Sequence, residues 1–488
     1  MEEVCTRIKD YPALIGGQRT SATSGETLCM RSPSNGEVFA RIPRCSASDV
    51  GRAVAAAKHA FKQGAWPRLS APQRGRLLSH VSRMLAEREE EFVELEALDT
   101  GKPLSQARAD VKAAIRYFEF YGGAADKISG ETLPTLSEGF SAFTLRQPHG
   151  VIAAVIPWNY PLQIISRIAG AALAMGNTLV VKPSEDACLS VIRLGEIMSE
   201  LGFPAGVFNV VTGYGDEAGA ALAHNLDVNF LTFTGSPEVG TFIQSAAARN
   251  HIGCTLELGG KSPQILFEDA DLDAAVPAIS KALTQNGGQT CSAGSRVLVQ
   301  ENLWDEACNR LRTKFRAVVA GPHEQDLDFG PLINASQARR VAAYCAQAEK
   351  DGVPLLAEGT LVPDIPPEGY YRTARLYGPV PAHHPLAQEE VFGPVLAMIP
   401  FKDEQEAIEI ANATAFGLVA GVWTRDLARS MRVVRAVECG QVFVNAYGAG
   451  GGVELPFGGV KKSGHGREKG FEALKEFSSI KTVVINHG

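Results

Sequence analysis

The chain has 488 residues, of which 45% are hydrophobic and 21% are charged, a composition typical of globular proteins. At about 100–200 residues per domain, this length predicts two to four domains. The formal net charge is −7, which argues against a basic nucleic-acid-binding surface and against a polybasic membrane contact.

Membrane insertion, secretion and disulfide bonding are not expected. The longest apolar stretch, residues 168–181, is shorter than the roughly 20 residues that a transmembrane helix needs. The first residues, MEEVC, are acidic and lack the apolar region of a signal peptide. Nine cysteines are an odd number without a C-x-x-C pair, which excludes a complete disulfide framework and argues against a zinc ribbon. We therefore expect a protein of the reducing cytoplasm with no metal site.

Helices are predicted throughout residues 48–118, most strongly over residues 49–63 and 87–99. After Pro148, short apolar runs alternate with helical patterns. The predicted strands are residues 151–156, 178–181, 207–211 and 230–234, and the predicted helices are residues 162–175, 189–201 and 216–223. Strands that alternate with helices of about 10–15 residues indicate βαβ units and a parallel sheet.

A second alternating section follows residue 261. Its predicted strands are residues 264–267, 297–300, 395–400 and 440–445, and its predicted helices are residues 274–283 and 304–318. The terminal run IKTVVI, residues 480–485, has high β propensity and is expected to pair with another sheet. The sequence therefore predicts an α/β fold with two α/β domains and smaller appended strands.

A phosphate-binding turn is indicated within residues 231–240, although the G-x-G-x-x-G fingerprint is absent. A predicted strand runs into Gly235, Ser236 is suited to cap the next helix and Pro237 is suited to begin it. Such a helix terminus binds phosphate, but the same pattern also occurs in purely structural turns. Lys182 and Glu185 follow another strand, where they either bind ribose hydroxyls or lie exposed in a loop.

Cys291 lies in a polar, glycine-rich window just before a predicted strand. A cysteine in such a flexible turn is expected to be accessible, and it is either a nucleophile or a structural residue. By contrast, three other cysteines lie in helical patterns and are expected to pack in the core: Cys188, Cys308 and Cys345.

Two further polar residues are candidates for catalysis. Glu257 lies between two leucines before a double glycine, and it is either a partly buried general base or the outward residue of a strand. Asn159 lies between two prolines after a predicted strand, and it is either an oxyanion donor or a turn residue that satisfies its own backbone.

Seven segments, taken in order, resemble the aldehyde dehydrogenase superfamily. They are PWNYP (157–161), KPSE (182–185), FTGSPEVG (233–240), LELGGK (256–261), GGQTCSAGSR (287–296), EEVFGPV (389–395) and PFGGVKKSGHGRE (456–468). The resemblance extends from about residue 10 to residue 486. Because seven ordered segments agree, the resemblance favours the functional interpretation of each candidate residue over the structural one.

The resemblance implies oxidation of an aldehyde to a carboxylic acid with NAD. Cys291 attacks the aldehyde to give a thiohemiacetal, and Asn159 with the backbone N–H of Cys291 holds the oxyanion. Hydride transfer to the nicotinamide leaves a thioester, and Glu257 activates the water that hydrolyses it. These groups supply the chemistry of the reaction, so no metal is implied.

The resemblance also implies the residues that bind NAD. Lys182 and Glu185 correspond to ligands of the adenosine ribose, and Glu185 would repel the 2′-phosphate of NADP. Gly235 and Ser236 form the pyrophosphate turn. The remaining expected cofactor contacts are Glu390 at the nicotinamide ribose, Phe392 against the ring, and Ile156, Trp158, Ser184, Gly215, Val239 and Leu258.

The substrate pocket is expected to contain four residues: Tyr160, Arg167, Gln285 and Phe457. Arg167 stands where relatives for apolar or cationic aldehydes commonly have Trp, which suggests a carboxylated or hydroxylated aldehyde of the semialdehyde type. Gln285 stands where the semialdehyde enzymes often have a second Arg. The alternatives are that Arg167 pairs with a protein acid such as Glu454, and that the enzyme is a general aliphatic or aromatic aldehyde dehydrogenase.

One departure from the family pattern concerns proton transfer. The family usually has Lys at the position of Ile168, often placed in a proton path with a Glu that corresponds to Glu468. The chain retains the Glu and lacks the Lys.

The implied architecture is a Rossmann-like NAD-binding domain, an α/β catalytic domain and a small β oligomerisation element. The NAD-binding domain is expected to comprise residues 1–122 and 147–257, and the catalytic domain residues 258–457. The oligomerisation element is expected to comprise residues 123–146 and 458–488. The partners expected are a small-molecule aldehyde and further copies in a homodimer or homotetramer, with no nucleic acid and no membrane.

Two rival functions are disfavoured by the residues present. A CoA-acylating dehydrogenase would lack the acid at Glu257, because CoA rather than water takes the acyl group. A non-catalytic protein that reuses the fold would have lost Cys291 or Glu257, and the chain has both.

Overall fold

A computed structural model describes residues 8–448 and 452–488 of the chain, which form two large, mainly parallel sheets with helices packed on them. The first sheet has eight strands, five of which are parallel at its centre. In spatial order its strands are Gly464–His465, Gly253–Glu257, Phe230–Thr234, Val151–Val155, Thr178–Lys182, Phe208–Val210, Ala13–Ile15 and Gln18–Thr20.

The predicted strands of this sheet are confirmed to within one or two residues. Val151–Val155, Thr178–Lys182 and Phe230–Thr234 are buried along their whole length. Full burial explains why these segments are continuous apolar runs rather than alternating patterns, since helices cover both faces of a parallel sheet.

The second sheet has seven strands, and all of its neighbouring pairs are parallel except the first. In spatial order its strands are Leu355–Glu358, Arg375–Tyr377, Val395–Phe401, Arg296–Gln300, Pro263–Leu266, Val419–Trp423 and Gln441–Val444. Four of them match the strands predicted for the second section of the chain.

The helices cover both sheets and make up most of the first quarter of the chain. They are Ala47–Lys62, Ala71–Glu87, Glu89–Thr100, Leu104–Ala124, Pro161–Ala174, Leu189–Glu200, Ala220–Ala223, Pro237–Asn250, Leu272–Thr284, Trp304–Arg316, Ala335–Lys350, Pro385–Gln388, Glu404–Asn412, Leu427–Ala436 and Gly470–Glu476. The helix predicted over residues 216–223 is shorter than expected, because a π-helical turn, Gly215–Gly219, precedes Ala220–Ala223. No helix within these described ranges is long and apolar enough to cross a membrane.

A third, antiparallel sheet consists of Ser478–Asn486, Phe140–Pro148 and Thr132–Leu133. This pairing confirms the prediction that the terminal run joins a sheet. One face of the sheet is open, since the Ile480 side chain is 60% exposed and Val484 is 59% exposed. The remaining strands form small sheets: Lys9–Asp10 with Val38–Pro43 and Thr27–Arg31, Val319–Ala320 with Thr360–Leu361, and Phe416–Gly417 with Val460–Lys461.

The strand Gly464–His465 links the end of the chain to the first sheet. It runs antiparallel to Gly253–Glu257, and Gly464 lies opposite Glu257. This pairing has no local pattern in the sequence, and it brings the segment that follows it, residues 466–469, beside Glu257.

Candidate active site

A cavity of about 1670 Å³ lies where the strands of the first sheet end. It brings together thirteen of the predicted site residues: Trp158, Asn159, Tyr160, Arg167, Gly235, Ser236, Glu257, Leu258, Gln285, Cys291, Glu390, Phe392 and Phe457. The other predicted residues do not line its wall: Ile156, Lys182, Ser184, Glu185, Gly215 and Val239.

Cys291 lies in a turn before the strand Arg296–Gln300. Its loop begins with Asn286, Gly287 and Gly288 at φ values of 50°, 61° and 75°. A Cβ at Gly288 would lie 2.2 Å from the carbonyl oxygen of Gly393, so this position requires glycine. Cys291 itself is half-buried against the apolar cluster that contains Phe457, and it is therefore accessible only through the cavity.

Burial raises the pKa of the Cys291 thiol to about 12, although the Arg167 guanidinium opposes this shift. The resting cysteine is therefore a neutral thiol. It must lose its proton when it reacts, so the site needs a group that can take or pass on a proton.

Asn159 is buried in the turn after Val151–Val155 and is bonded to the cysteine loop in two directions. Its Nδ2 atom donates to the carbonyl of Gln289 at 2.9 Å, and its own carbonyl accepts from Nδ2 of Asn286 at 3.1 Å. Beside it, the hydroxyls of Tyr160 and Thr290 are 2.6 Å apart. These bonds fix the amide beside Cys291 and leave the second Nδ2 hydrogen without an acceptor among the described residues.

Glu257 is the last residue of Gly253–Glu257 and is 1% exposed. The alternative that it points outward from the strand is therefore wrong. Neither carboxylate oxygen has a hydrogen-bond partner within the described ranges. Burial and, to a smaller extent, the neighbouring carboxylate of Glu468 raise the pKa of Glu257 well above its usual value, while Arg167 opposes the shift.

Glycine brings the Glu257 and Cys291 segments together. A Cβ at Gly260 would lie 2.5 Å from the carbonyl oxygen of Cys291, so only glycine allows the chain after Glu257 to pass this close. The double glycine that the sequence places after Glu257 thus has a packing reason.

Arg167 is buried on the helix Pro161–Ala174 and forms an ion pair with Glu468. The protein acid suggested by the sequence, Glu454, pairs instead with Arg116 on the surface. Burial is the largest influence on Arg167 and lowers its pKa, but Glu468 and the smaller effects of Tyr117, Glu257 and Cys291 together outweigh it, and the net shift is upward. The guanidinium also lies over the ring of Phe457, at 5.4 Å from the ring centroid.

Sequence reasoning missed two lysines at this site. Lys102 is buried, and its Nζ atom donates to Asp110 at 2.5 Å and to the carbonyl of Asn159 at 2.9 Å, which holds the Asn159 turn in place. Lys469 lines the cavity, and its Nζ atom lies over the ring of Phe457. Neither lysine has a local sequence pattern that could have identified it, because its partners are distant in the chain.

The predicted adenosine residues lie together at the end of Thr178–Lys182. Lys182 is 3% exposed, and its Nζ atom is 3.1 Å from Oε2 of Glu185. The carbonyl of Lys182 accepts from the N–H of Ile156 at 3.1 Å, and the hydroxyl of Ser184 accepts from the N–H of Asp186 at 3.3 Å. The site therefore offers an ammonium and a carboxylate at one end of a parallel sheet.

The predicted phosphate turn follows the strand Phe230–Thr234. Ser236 caps the helix Pro237–Asn250, and its hydroxyl accepts from the N–H of Val239 at 3.3 Å. Val239 itself is exposed on the first turn of that helix. A helix N-terminus that opens on a cavity presents N–H groups and a partial positive charge to an anion.

Glu390 and Phe392 also line the cavity. The Oε1 atom of Glu390 accepts from the N–H of Gly260 at 2.8 Å, and a Cβ at Gly259 would lie 2.4 Å from its Oε2 atom. Burial raises the pKa of Glu390 to about 7. The ring of Phe392 meets that of Trp158 edge to face, with centroids 5.5 Å apart. This wall offers one carboxylate and two aromatic rings.

Metal ligands are not grouped in the described part of the chain, where no set of three or more His, Cys, Asp or Glu side chains could hold a metal ion.

Known proteins resemble the chain in both sequence and structure. The sequence model of the aldehyde dehydrogenase family matches residues 20–483. The mitochondrial aldehyde dehydrogenase family 2 member B4 of Arabidopsis thaliana is 40% identical over 474 residues, which are 96% of this chain and 87% of that protein.

Solved structures agree with the sequence comparison. A crystal structure from Burkholderia cenocepacia, provisionally named as an aldehyde dehydrogenase, is 56% identical with a TM-score of 0.97, covering 98% of this chain and 100% of that chain. The NAD⁺ complex of an aldehyde dehydrogenase from Bacillus cereus is 36% identical with a TM-score of 0.95, covering 98% of this chain and 97% of that chain.

Proposed function

The chain belongs to the aldehyde dehydrogenase family, whose members are NAD(P)-dependent oxidoreductases, and we propose that it oxidises an aldehyde to the acid through a thioester on Cys291. One observation carries this proposal: a single cavity is lined by a thiol, a fixed amide and a buried carboxyl group, those of Cys291, Asn159 and Glu257. These are a nucleophile, an oxyanion donor and a general base.

The cavity and its edge fit NAD. The N-terminus of Pro237–Asn250 suits the pyrophosphate, and Lys182 with Glu185 suits the hydroxyls of the adenosine ribose. Glu390 suits the hydroxyls of the second ribose, and Trp158 with Phe392 provides aromatic surface beside them. When bound, NAD accepts a hydride from the substrate carbon.

Cys291 begins the reaction by adding its sulfur to the aldehyde carbon, which becomes tetrahedral, while the thiol proton passes to water in the cavity. The carbonyl oxygen gains negative charge in this step. The free Nδ2 hydrogen of Asn159 and the backbone N–H of Cys291 stabilise that charge, and the bonds of Asn159 to Gln289 and Asn286 keep the donor in place without reorganisation.

Glu257 completes the reaction by taking a proton from the water that attacks the thioester carbon. The C–S bond then breaks, the carboxylic acid leaves, and Cys291 regains its proton. A carboxyl group without hydrogen-bond partners in a buried position is a stronger base than one in water, since its pKa is raised. This role distinguishes hydrolysis from acyl transfer to CoA.

The proposal is tested by measuring NADH formation with propanal and NAD in the presence and absence of CoA. NADH and free propanoic acid are expected in equal amounts, at a rate that CoA does not change. Formation of propanoyl-CoA would favour the acylating alternative, and no NADH with any aldehyde would favour a non-catalytic protein.

Glu185 is proposed to select NAD over NADP. Its carboxylate lies beside Lys182, where an added 2′-phosphate would meet a like charge. We expect Glu185→Gln to lower the ratio of kcat/KM for NAD to kcat/KM for NADP by about tenfold or more, because the substitution also frees Lys182 to bind the phosphate. Equal values for both cofactors in the wild type would contradict the assignment.

Arg167 is proposed to bind a carboxylate or hydroxyl on the substrate, since its guanidinium lines the cavity and keeps donors beyond its contact with Glu468. We expect Arg167→Leu to raise KM for succinate semialdehyde by about tenfold or more, because the variant loses a charge-assisted hydrogen bond to the substrate. KM for propanal and hexanal should be nearly unchanged.

The matched control for this experiment is Arg167→Lys, which keeps the positive charge beside Glu468. It is expected to retain more of the preference for the charged aldehyde than Arg167→Leu does. Equal losses for charged and uncharged aldehydes in both variants would mean that Arg167 only shapes the pocket.

Assembly, domain bounds and location are proposed as follows. Residues 1–122 and 147–257 form the NAD-binding domain, residues 258–457 the catalytic domain, and residues 123–146 and 458–488 the oligomerisation segments of a cytoplasmic homodimer or homotetramer. The open face of the third sheet supports assembly, because it leaves large apolar side chains such as Ile480 exposed.

A further inference from the structure

Lys469 is a buried lysine without a partner. The residue is 7% exposed and lines the cavity. Within the described ranges its Nζ atom forms no hydrogen bond and no ion pair, and its nearest distinctive contacts are the rings of Phe457 at 4.9 Å and Tyr117 at 5.9 Å. Cation–π contacts replace only a small part of the hydration that such an ammonium loses.

The backbone of Lys469 is also unusual. Its φ and ψ angles are 65° and 168°, a region that glycine adopts readily and that residues with a Cβ rarely occupy. Glycine would thus suit the fold better here than lysine does. A strained backbone at a residue whose ammonium group lines the cavity without an acceptor among the described residues indicates that the side chain serves a ligand.

Two positive side chains lie against the Phe457 ring, those of Arg167 and Lys469. Arg167 already forms an ion pair with Glu468, whereas Lys469 forms none with a described residue. Both cations lower the pKa of Glu257, against the larger effect of its burial. Lys469 is therefore the cation at this end of the cavity that keeps its donors for a ligand.

We propose that Lys469, acting with Arg167, binds a carboxylate at the far end of the substrate, and that the substrates are aldehydes bearing a carboxylate. The inference rests on the proposed aldehyde oxidation. A carboxylate gives the Lys469 ammonium an acceptor for a charge-assisted hydrogen bond. The ring of Phe457, which both cations contact, offers apolar surface to the carbon chain that joins the carboxylate to the aldehyde.

Other polar groups fit this subsite less well. A hydroxyl group is a weaker acceptor for an ammonium than a carboxylate is, because it carries no charge. A phosphate carries close to two negative charges and would bring them beside the buried carboxylate of Glu468. A carboxylate is therefore the ligand that suits this subsite best.

The test compares the semialdehydes of succinic, glutaric and adipic acids with their monomethyl esters, which keep the shape and lack the charge. We expect wild-type kcat/KM to be at least about tenfold higher for the best acid than for its ester. Lys469→Met is expected to lower kcat/KM for that acid by about tenfold or more, chiefly through KM, and to lower kcat/KM for the ester much less.

The control variant is Lys475→Met on the next helix, Gly470–Glu476. Lys475 is exposed and paired with Glu472 on the surface, so its substitution removes the same charge at a short distance in sequence without touching the cavity. Both substrate classes should be unaffected by it.

A second variant separates a ligand role from a structural one. Lys469→Gly is expected to raise the Tm of the protein, because it relieves the backbone strain and removes the unpaired charge. Lys469→Gly is nevertheless expected to lower kcat/KM for the carboxylated aldehyde as much as Lys469→Met does. Glutarate, a non-reactive dicarboxylate, should raise the Tm of the wild type and of Lys475→Met but not that of either Lys469 variant.

The outcomes distinguish this inference from the proposed function. Oxidation of esters and acids at equal kcat/KM, or equal losses for both in Lys469→Met, overturns the carboxylate subsite and leaves aldehyde oxidation in place. A failure to form NADH from any aldehyde overturns the proposed function, while the glutarate measurement still decides whether Lys469 binds a carboxylate.

Discussion

Replacing Cys291 with alanine is expected to abolish aldehyde oxidation. The variant loses the only sulfur that lines the cavity among the described residues, so the aldehyde carbon cannot become tetrahedral by covalent attack. Removal of a catalytic nucleophile costs about three orders of magnitude or more in kcat. The measurement is NADH formation with propanal and with a semialdehyde at saturating NAD.

Folding and cofactor binding are expected to survive this substitution, because Cys291 is half-buried in a turn that backbone hydrogen bonds hold in place. The Tm and the Kd for NAD should therefore stay near wild type. Cys29→Ala, at an exposed cysteine of the strand Thr27–Arg31, is the matched control and should keep full activity. More than a few per cent of activity in Cys291→Ala would refute the covalent mechanism.

Most strands and helices of both sheets could be predicted because their patterns are local. A buried parallel strand is a continuous apolar run, and a helix beneath it has apolar residues at helical spacing. The strand Phe230–Thr234 and the helix that begins at Leu189 were therefore placed within a residue. The order of the strands could not be predicted, since it depends on pairings between segments far apart in the chain.

The edge strand Gly464–His465 is the clearest case of such a pairing. It has two residues, both poor strand formers by their own composition, and it exists because it aligns with Gly253–Glu257. The region between residues 350 and 395 likewise gave no strand prediction, although Leu355–Glu358 and Arg375–Tyr377 both join the second sheet. Short strands carry too few residues for periodicity to distinguish them from loops.

The candidate site was predicted from motifs, and its electrostatics were not. The family pattern left Glu468 without a partner because Ile168 replaces the usual Lys, and Ile168 is fully buried. The partner is the adjacent residue, Arg167, whose guanidinium reaches Glu468 across the helix–strand interface. An arginine cannot give up its proton at neutral pH, so it holds the Glu468 carboxylate rather than passing protons to it.

Replacing Glu257 with glutamine is expected to separate the two halves of the reaction. Cys291 still forms the thioester and one NADH appears per active site, but the amide cannot take a proton from water. Steady turnover should then be slower than the burst by about a hundredfold or more, the usual contribution of a general base. The measurement is rapid-mixing NADH fluorescence followed by the steady-state rate.

The pH profile adds a second, independent readout for Glu257. Burial raises the pKa of this carboxyl group well above its usual value, so it is neutral at low pH and becomes a base only as the pH rises. Wild-type hydrolysis should therefore increase with pH up to that raised pKa, and the slow turnover of Glu257→Gln should lack this dependence. An external nucleophile such as hydroxylamine should restore turnover in the variant, because it attacks the thioester without a base. The assignment of Glu257 to hydrolysis would be contradicted if Glu257→Gln turned over at the wild-type steady-state rate, or if it showed no burst of NADH.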